Sequence, residues 1–241
     1  MAIPVDSSKP ANPQHDVAKR ARRNEPSGAP ENGRCRIALT GGPGGGKTTA
    51  ADLFRREIGE SVVIVPEAAT LLFSGGFPRC SEEAGILAAQ HAIYHVQRNL
   101  EDVQSSLYPE RILLCDRGTV DGGAYWPGDP EEFFATLGTT LEHELGRYDG
   151  VIFFESAAVG GMGIEGGNPM RKESIEQAAA LDAKLHSLWA RHPRFILVRH
   201  HSSFLMKISL GLAELDNMVA ELTAREAPAS VGEANHPHET P

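Results

Sequence analysis

Gly41-Gly42-Pro43-Gly44-Gly45-Gly46-Lys47-Thr48 matches the spacing G-x-x-x-x-G-K-[ST] at every position. A run with so little side chain lets the backbone wrap closely enough to aim successive N–H groups at phosphate oxygens. Lys47 then brings a positive charge to the β- and γ-phosphates, and the Thr48 hydroxyl suits Mg²⁺. Such a loop needs a strand before it and a helix after it, so that the helix N-terminus faces the anion. Both are present: Cys35-Arg36-Ile37-Ala38-Leu39-Thr40 reads as a strand and Thr49–Ile58 as a helix. An accidental glycine-rich turn does not account for these flanks. Residues Gly41 to Thr49 are therefore the candidate nucleotide-binding segment, with ATP or GTP as the nucleotide.

Outward from the loop, short apolar runs alternate with helical patterns. Strand candidates are Arg36–Thr40, Val62–Val65, Ile112–Cys115, Val151–Phe154 and Phe195–Val198. Continuous apolar strands are what a parallel sheet covered on both faces requires. Between the second and third, Ile86, Ala89, Ile93, Val96, Leu100, Val103 and Leu107 recur at spacings of three and four, predicting one apolar stripe of a long helix opened by Ser81. Ser174 and Gln177 have capping-box spacing ahead of Leu181, Leu185 and Leu188. A closing helix shows Phe204, Ile208, Leu212, Leu215, Val219 and Leu222. The pattern predicts a single α/β three-layer domain with a five-stranded parallel sheet over 34–224.

The rest of the chain sets bounds. Residues 1–33 are proline-rich and lack periodic apolar residues, and 225–241 are turn-rich and polar, so both read as disordered tails. The basic run Lys19-Arg20-Ala21-Arg22-Arg23 is offset by four acidic residues in its tail, which reads as a solvated linker rather than a binding arm. Over 241 residues, 23 Lys+Arg stand against 32 Asp+Glu, a net charge of −9. That balance argues against nucleic acid as a partner. No apolar run approaches the ~20 residues needed to span a bilayer, and the N-terminus lacks the apolar stretch of a signal peptide. Three scattered cysteines without C-x-x-C spacing indicate neither a disulfide framework nor a zinc site. The expected protein is soluble and cytoplasmic.

Three further features carry chemistry. Asp116 closes the strand Ile112-Leu113-Leu114-Cys115, where a carboxylate can hold Mg²⁺ beside the loop together with Thr48; a plain turn-starting aspartate is the alternative. It is followed by Arg117, whereas motor-type ATPases place a water-polarising Glu there, and a kinase is better served by excluding water. Glu67 ends Val62-Val63-Ile64-Val65-Pro66, at the carboxyl edge where ligands of open α/β sheets bind. There it can take a proton from a substrate hydroxyl, or simply serve the dipole of a helix starting at Ala68. The glycine-dense segment Gly160–Arg171 suits a mobile lid bringing Arg171 to the transferring phosphate, against the alternative of a floppy connection. Lesser candidates default to structure: His91 and His95 to solvent rather than a metal, His200-His201 to a post-strand loop rather than the nucleotide base, Tyr125-Trp126 to core packing rather than a substrate ring, and Gln90 and Gln97, which edge the apolar stripe and could read a substrate's polar edge, to the surface.

Taken together, GGPGGGKTT, VPEAAT, CDRGTVDGGAYWPG, VIFFES and Asn168-Pro169-Met170-Arg171-Lys172-Glu173 ahead of Ala180-Leu181-Asp182 and Trp189 resemble one family. It is the AAA-type ATPase domain shared by bacterial nicotinamide riboside kinases and the TRPL translocation defect protein group. The resemblance spans roughly 35–215. It implies a P-loop, nucleoside-kinase-like fold with a Gly-rich lid, and ATP or GTP with Mg²⁺. By the same resemblance Asp116 falls on the metal-side aspartate, Arg117 on the arginine that follows it and Arg171 on a lid arginine. The full candidate set is then Lys47, Glu67, Arg117 and Arg171 as catalytic residues, Thr48 and Asp116 on the metal, and Glu67, Arg79 and Asp121 on the acceptor side. Against the riboside kinases, the expectation is a different lid and no adenylyltransferase half. Three functions stay open: a kinase for a small, nucleoside-like molecule; a nucleotide-dependent switch or lipid-associated binding protein; and a mechanochemical ATPase, which the absent Glu after Asp116 disfavours.

Overall fold

The computed structural model describes residues 35–160 and 174–226. Five strands form one sheet: β1 (Arg36–Thr40), β2 (Val62–Val65), β3 (Ile112–Asp116), β4 (Gly150–Phe154) and β5 (Phe195–Val198). Their order is β2-β3-β1-β4-β5, and every neighbouring pair is parallel. Parallel neighbours need crossovers, and helices supply them: α1 (Lys47–Ile58), α2 (Ala68–Ser74), α3 (Glu83–Leu107), α4 (Asp121–Tyr125), α5 (Pro130–Thr136), α6 (Leu141–Leu145), α7 (Ile175–Trp189) and α8 (Phe204–Glu226). No helix among the described residues is long and apolar enough to cross a membrane.

Successive strand residues point to opposite faces, so continuous apolar strands feed two cores at once. Ile37, Leu39, Ile112, Leu114, Ile152 and Phe154 pack with Phe54 of α1 and Ile208 and Leu215 of α8. Ala38, Leu113, Cys115, Val151 and Phe153 pack on the other face with Phe133, Leu185 and the fully buried Trp189. Truncating a side chain such as Phe54 to alanine would cost about 3–5 kcal/mol. The capping box of α7 forms in both directions: the Gln177 amide donates to Ser174 Oγ, and the Ser174 amide to Gln177 Oε1. Helix α8 runs to Glu226, two residues past the boundary expected from sequence. Residues 1–33, most of the C-terminal tail, and Arg171 with nearly all of the glycine-dense segment lie outside the described residues.

One expectation is corrected. The apolar stripe of the long helix does not face the core along its length: Val103 and Leu107 are 52% and 64% exposed. Helix α3 instead buries Ala89, Gln90, Tyr94, Gln97 and Glu101. The inward face is turned to polar residues because cations and hydroxyls wait beneath it: Arg147 and Tyr148 bond Glu101, and Tyr94 bonds Glu144. Buried polar groups are tolerated when their partners are present.

Candidate active site

Register decides where the chemistry sits. Leu39 pairs with Asp116 and Thr40 with Phe153, so the loop leaves β1 between the carboxyl ends of β3 and β4. A Cβ on Gly41 would lie 2.1 Å from the Phe154 carbonyl oxygen, and Gly46 holds φ at 88°, so neither position takes another residue without strain. Lys47 Nζ donates to the carbonyls of Gly41 and Gly42, each at 2.8 Å.

Three side chains, from α7, from α8 and from the residues after β4, brace this loop. Asp182 Oδ1 of α7 accepts from the amides of Gly42 and Ser156, both at 2.8 Å. Ser156 Oγ donates to the Pro43 carbonyl at 2.5 Å. Lys207 Nζ of α8 donates to the carbonyls of Gly45 at 2.8 Å and Glu155 at 2.5 Å. Burial pulls the Lys207 amine down to about 8 despite Asp182 and Glu155 nearby. Burial also raises the Asp182 carboxyl, against the two amides that favour its anion.

On the metal-facing side, Thr48 Oγ1 donates to Asp116 Oδ2 at 3.1 Å, while Asp116 Oδ1 is buried with no partner among the described residues. Burial raises the Asp116 carboxyl, and the neighbouring Glu67 charge raises it further. No cluster of three or more His, Cys, Asp or Glu among the described residues could hold a metal alone. Mg²⁺ rarely needs one, since one or two carboxylates and substrate phosphates suffice. The orphaned oxygen beside the threonine hydroxyl fits that ion.

Arg117 joins the loop to the neighbouring cavity. It is the one described non-glycine residue with φ in the left-handed region, at 74°, a cost of roughly 1–3 kcal/mol that clusters at functional sites. Its Nε donates to Glu67 Oε1 at 2.5 Å, its Nη1 to Asp121 Oδ1 at 2.8 Å, and the same Nη1 reaches the Gly41 carbonyl at 3.5 Å. Burial would push the Glu67 carboxyl up. The Arg117 charge, the Thr70 hydroxyl and Lys47 more than reverse this and hold it at about 2. Glu67 is the residue before α2, but its side chain makes no capping bond to that helix; it serves Arg117 and Thr70 instead.

Beyond Arg117 opens a cavity of about 230 Å³. Phe73, Ile93, Tyr125 and Phe133 supply its apolar wall, and Glu67, Gln90, Gln97 and Arg117 its polar one. Arg79 lines it as well, exposed and laid over the Phe73 ring at 4.0 Å. Asp121 also borders it, but both its oxygens are taken by Thr40, Arg117, Gly118 and Trp189. Of the aromatic pair, Trp126 joins the core, whereas Tyr125 faces the cavity under the Arg117 guanidinium. Gln90 and Gln97 are buried rather than on the surface. His91 bonds Thr136 and stacks on Trp126, and His95 is exposed. The His200 amide bonds Glu155 in a loop. Sequence reasoning missed Asp182 and Lys207 as loop braces; nothing in their local pattern marks them.

A family model described as an AAA domain matches residues 36–202. No curated protein matches the chain. Among solved structures, the deoxyadenosine kinase of M. mycoides with bound dATP aligns with a TM-score of 0.50 at 13% identity. The alignment covers 76% of this chain and all of that one. At that identity the likeness shows the fold, a nucleoside-kinase-type P-loop architecture.

Proposed function

This chain belongs to the AAA domain family of P-loop NTPases, and from that premise we propose that it is a small-molecule kinase. It would move the γ-phosphoryl of ATP or GTP onto a hydroxyl of a nucleoside-like acceptor. One observation carries the reading: Arg117 forms a wall shared by the phosphate loop and a partly aromatic cavity, with the Glu67 carboxylate on that wall. A motor or a simple switch has no need of a ring-sized cavity beside its phosphates.

In this reading the loop amides and Lys47 hold the β- and γ-phosphates, Lys47 leaving its two carbonyls to do so. Thr48 and Asp116 would hold Mg²⁺, which when bound would neutralise charge on the phosphate oxygens. The acceptor oxygen attacks the γ-phosphorus, the bond to the β-phosphate oxygen breaks, and the hydroxyl proton passes to Glu67. A carboxylate held at about 2 is a weak base. That suits a loose transition state, in which the hydroxyl becomes acidic only late. Each Glu67 oxygen keeps a lone pair beyond its present bond. Arg117 steadies charge on the transferring group, Asp121 orients Arg117, Arg79 stands at the acceptor side, and Arg171 would approach from the segment before α7.

The test is nucleotide hydrolysis and transfer measured with and without a panel of nucleosides and related vitamins. Stimulation by one compound, with its phosphorylated form appearing, supports the kinase. Steady hydrolysis indifferent to every compound, with a nucleotide-dependent change in protease sensitivity, would instead favour a switch.

A further inference from the structure

The cavity floor has a direction built into it. Gln97 is 2% exposed, and its Nε2 donates to Glu101 Oε1 at 3.1 Å and to the Arg117 carbonyl at 3.3 Å. A carbonyl can only accept, and so can a carboxylate paired with Arg147 Nη2 at 2.6 Å and accepting the Tyr148 hydroxyl at 2.8 Å. The amide therefore cannot be flipped without facing acceptor to acceptor twice. Both Nε2 hydrogens are spent below, and Oε1, with no partner among the described residues, is what Gln97 offers the cavity. Gln90, 8% exposed, adds an amide that has no partner among the described residues and can donate or accept. Tyr94, next to Gln97 in this wall, offers nothing further: its hydroxyl donates to Glu144 and accepts from Arg98.

Size limits the occupant further. A cavity of about 150 Å³ suffices for benzene, so about 230 Å³ takes one ring and a small substituent, and a larger ring system would extend toward the open side.

Resting on the kinase reading, we propose that the acceptor's ring end carries a hydrogen-bond donor, an N–H or NH₂ group directed at Gln97 Oε1, and that Glu101 is the positioning residue that makes Gln97 present its carbonyl. A ring bearing only acceptors there would leave two buried lone pairs opposed, with a penalty that a donor avoids. Glu101 touches no acceptor; it acts through Gln97 alone.

The probes are two matched pairs: cytidine with its 4-deamino analogue, and adenosine with its 6-deamino analogue. Each pair differs by one NH₂ group. Binding to the full chain is followed by calorimetry, and phosphoryl transfer from Mg·ATP is measured separately. The amino member of at least one pair is expected to bind at least ~10-fold more tightly. Gln97→Met and Glu101→Gln are each expected to bring that ratio within about threefold of unity, with Mg·ATP affinity as the folding control. A purely structural loss would weaken both members equally and leave the ratio intact. If Glu101→Gln fails to fold, because Arg36 and Arg147 lose their counter-charge, Gln97→Met decides. Parity in the wild type, a ratio that survives Gln97→Met, or no binding by any probe overturns the inference. Transfer without a preference would leave the kinase standing and remove this inference. Preference without transfer would do the reverse.

Discussion

The loop Gly41–Thr48 is a run of consecutive residues whose polar surface is almost all backbone. The cavity beside it is assembled from side chains of α2, α3, α4 and α5 and from Arg117 after β3. The loop is braced from outside by Asp182, Ser156 and Lys207, so its shape does not depend on what fills the cavity. The cavity is braced from below by buried charge, with Glu101 and Glu144 both fully buried against Arg147. A triphosphate looks the same in every P-loop protein, and a backbone cradle suits it. An acceptor is particular to its enzyme, and only side chains can describe it.

If the two halves are separate, damage to the loop must spare the cavity. Lys47→Ala should lower Mg·ATP affinity by ~10²-fold or more, because it removes a point charge aimed at the phosphates, while cytidine or adenosine binding stays within about twofold. Calorimetry showing unchanged ATP affinity would defeat the loop assignment; a parallel loss of nucleoside binding would break the separation. Glu67 lies on the shared wall. Glu67→Gln keeps shape and hydrogen-bonding capacity but removes the base. Single-turnover transfer from labelled ATP should fall by ~10²-fold, the lower end of the usual range for a positioned base, with both ligands still bound. Wild-type transfer in this variant would remove Glu67 as base and shift weight to a switch.

The same contrast explains what was legible. The five strands could be read because each is a short apolar run ending in polar residues, and the phosphate loop because its chemistry requires adjacent residues. Asp116 and Glu67 could be proposed because they end strands, where a parallel sheet exposes its carboxyl edge. The burial of Gln90, Gln97 and Glu101 could not be read. Polar residues on a helix default to solvent, and only Arg36, Arg147 and Tyr148, contributed by β1 and the segment before β4, reverse that default. Asp182 brings together residues 140 and 26 positions away, and no local period encodes such a contact.

The shared wall should also show in acid stability. Glu67 holds its proton at about 2 in the folded chain against 4.5 unfolded. The folded carboxyl is depressed, so its stabilisation is complete above pH 4.5 and is lost as the pH falls toward 2. A depression of that size corresponds to roughly 3 kcal/mol. Urea unfolding between pH 5 and 2.5 should fall more steeply in the wild type than in Glu67→Gln. Identical slopes would mean that the Glu67–Arg117 pair contributes nothing to linkage.

The smallest effect belongs to the brace supplied by α8. Lys207 holds the Gly45 and Glu155 carbonyls with its ammonium, and burial has brought that ammonium down to about 8. Between pH 8 and the usual lysine value of 10.5 the unfolded chain keeps a proton that the folded chain has released. Stability from this group therefore rises with pH across that window. Nucleotide affinity should move the other way, because a neutral amine makes weaker bonds to the two carbonyls than an ammonium does, and the loop is less firmly held. From pH 7 to 9, Mg·ATP affinity is expected to fall by about threefold in the wild type. Lys207→Met should start lower and lack this component, so the difference between the two proteins isolates it from other titrations. Nucleoside affinity, set across the sheet by Gln97 and Glu101, should keep the same pH dependence in both proteins. If Lys207→Met altered it, the brace would reach the cavity, and the loop and the acceptor site would be one mechanical unit instead of two.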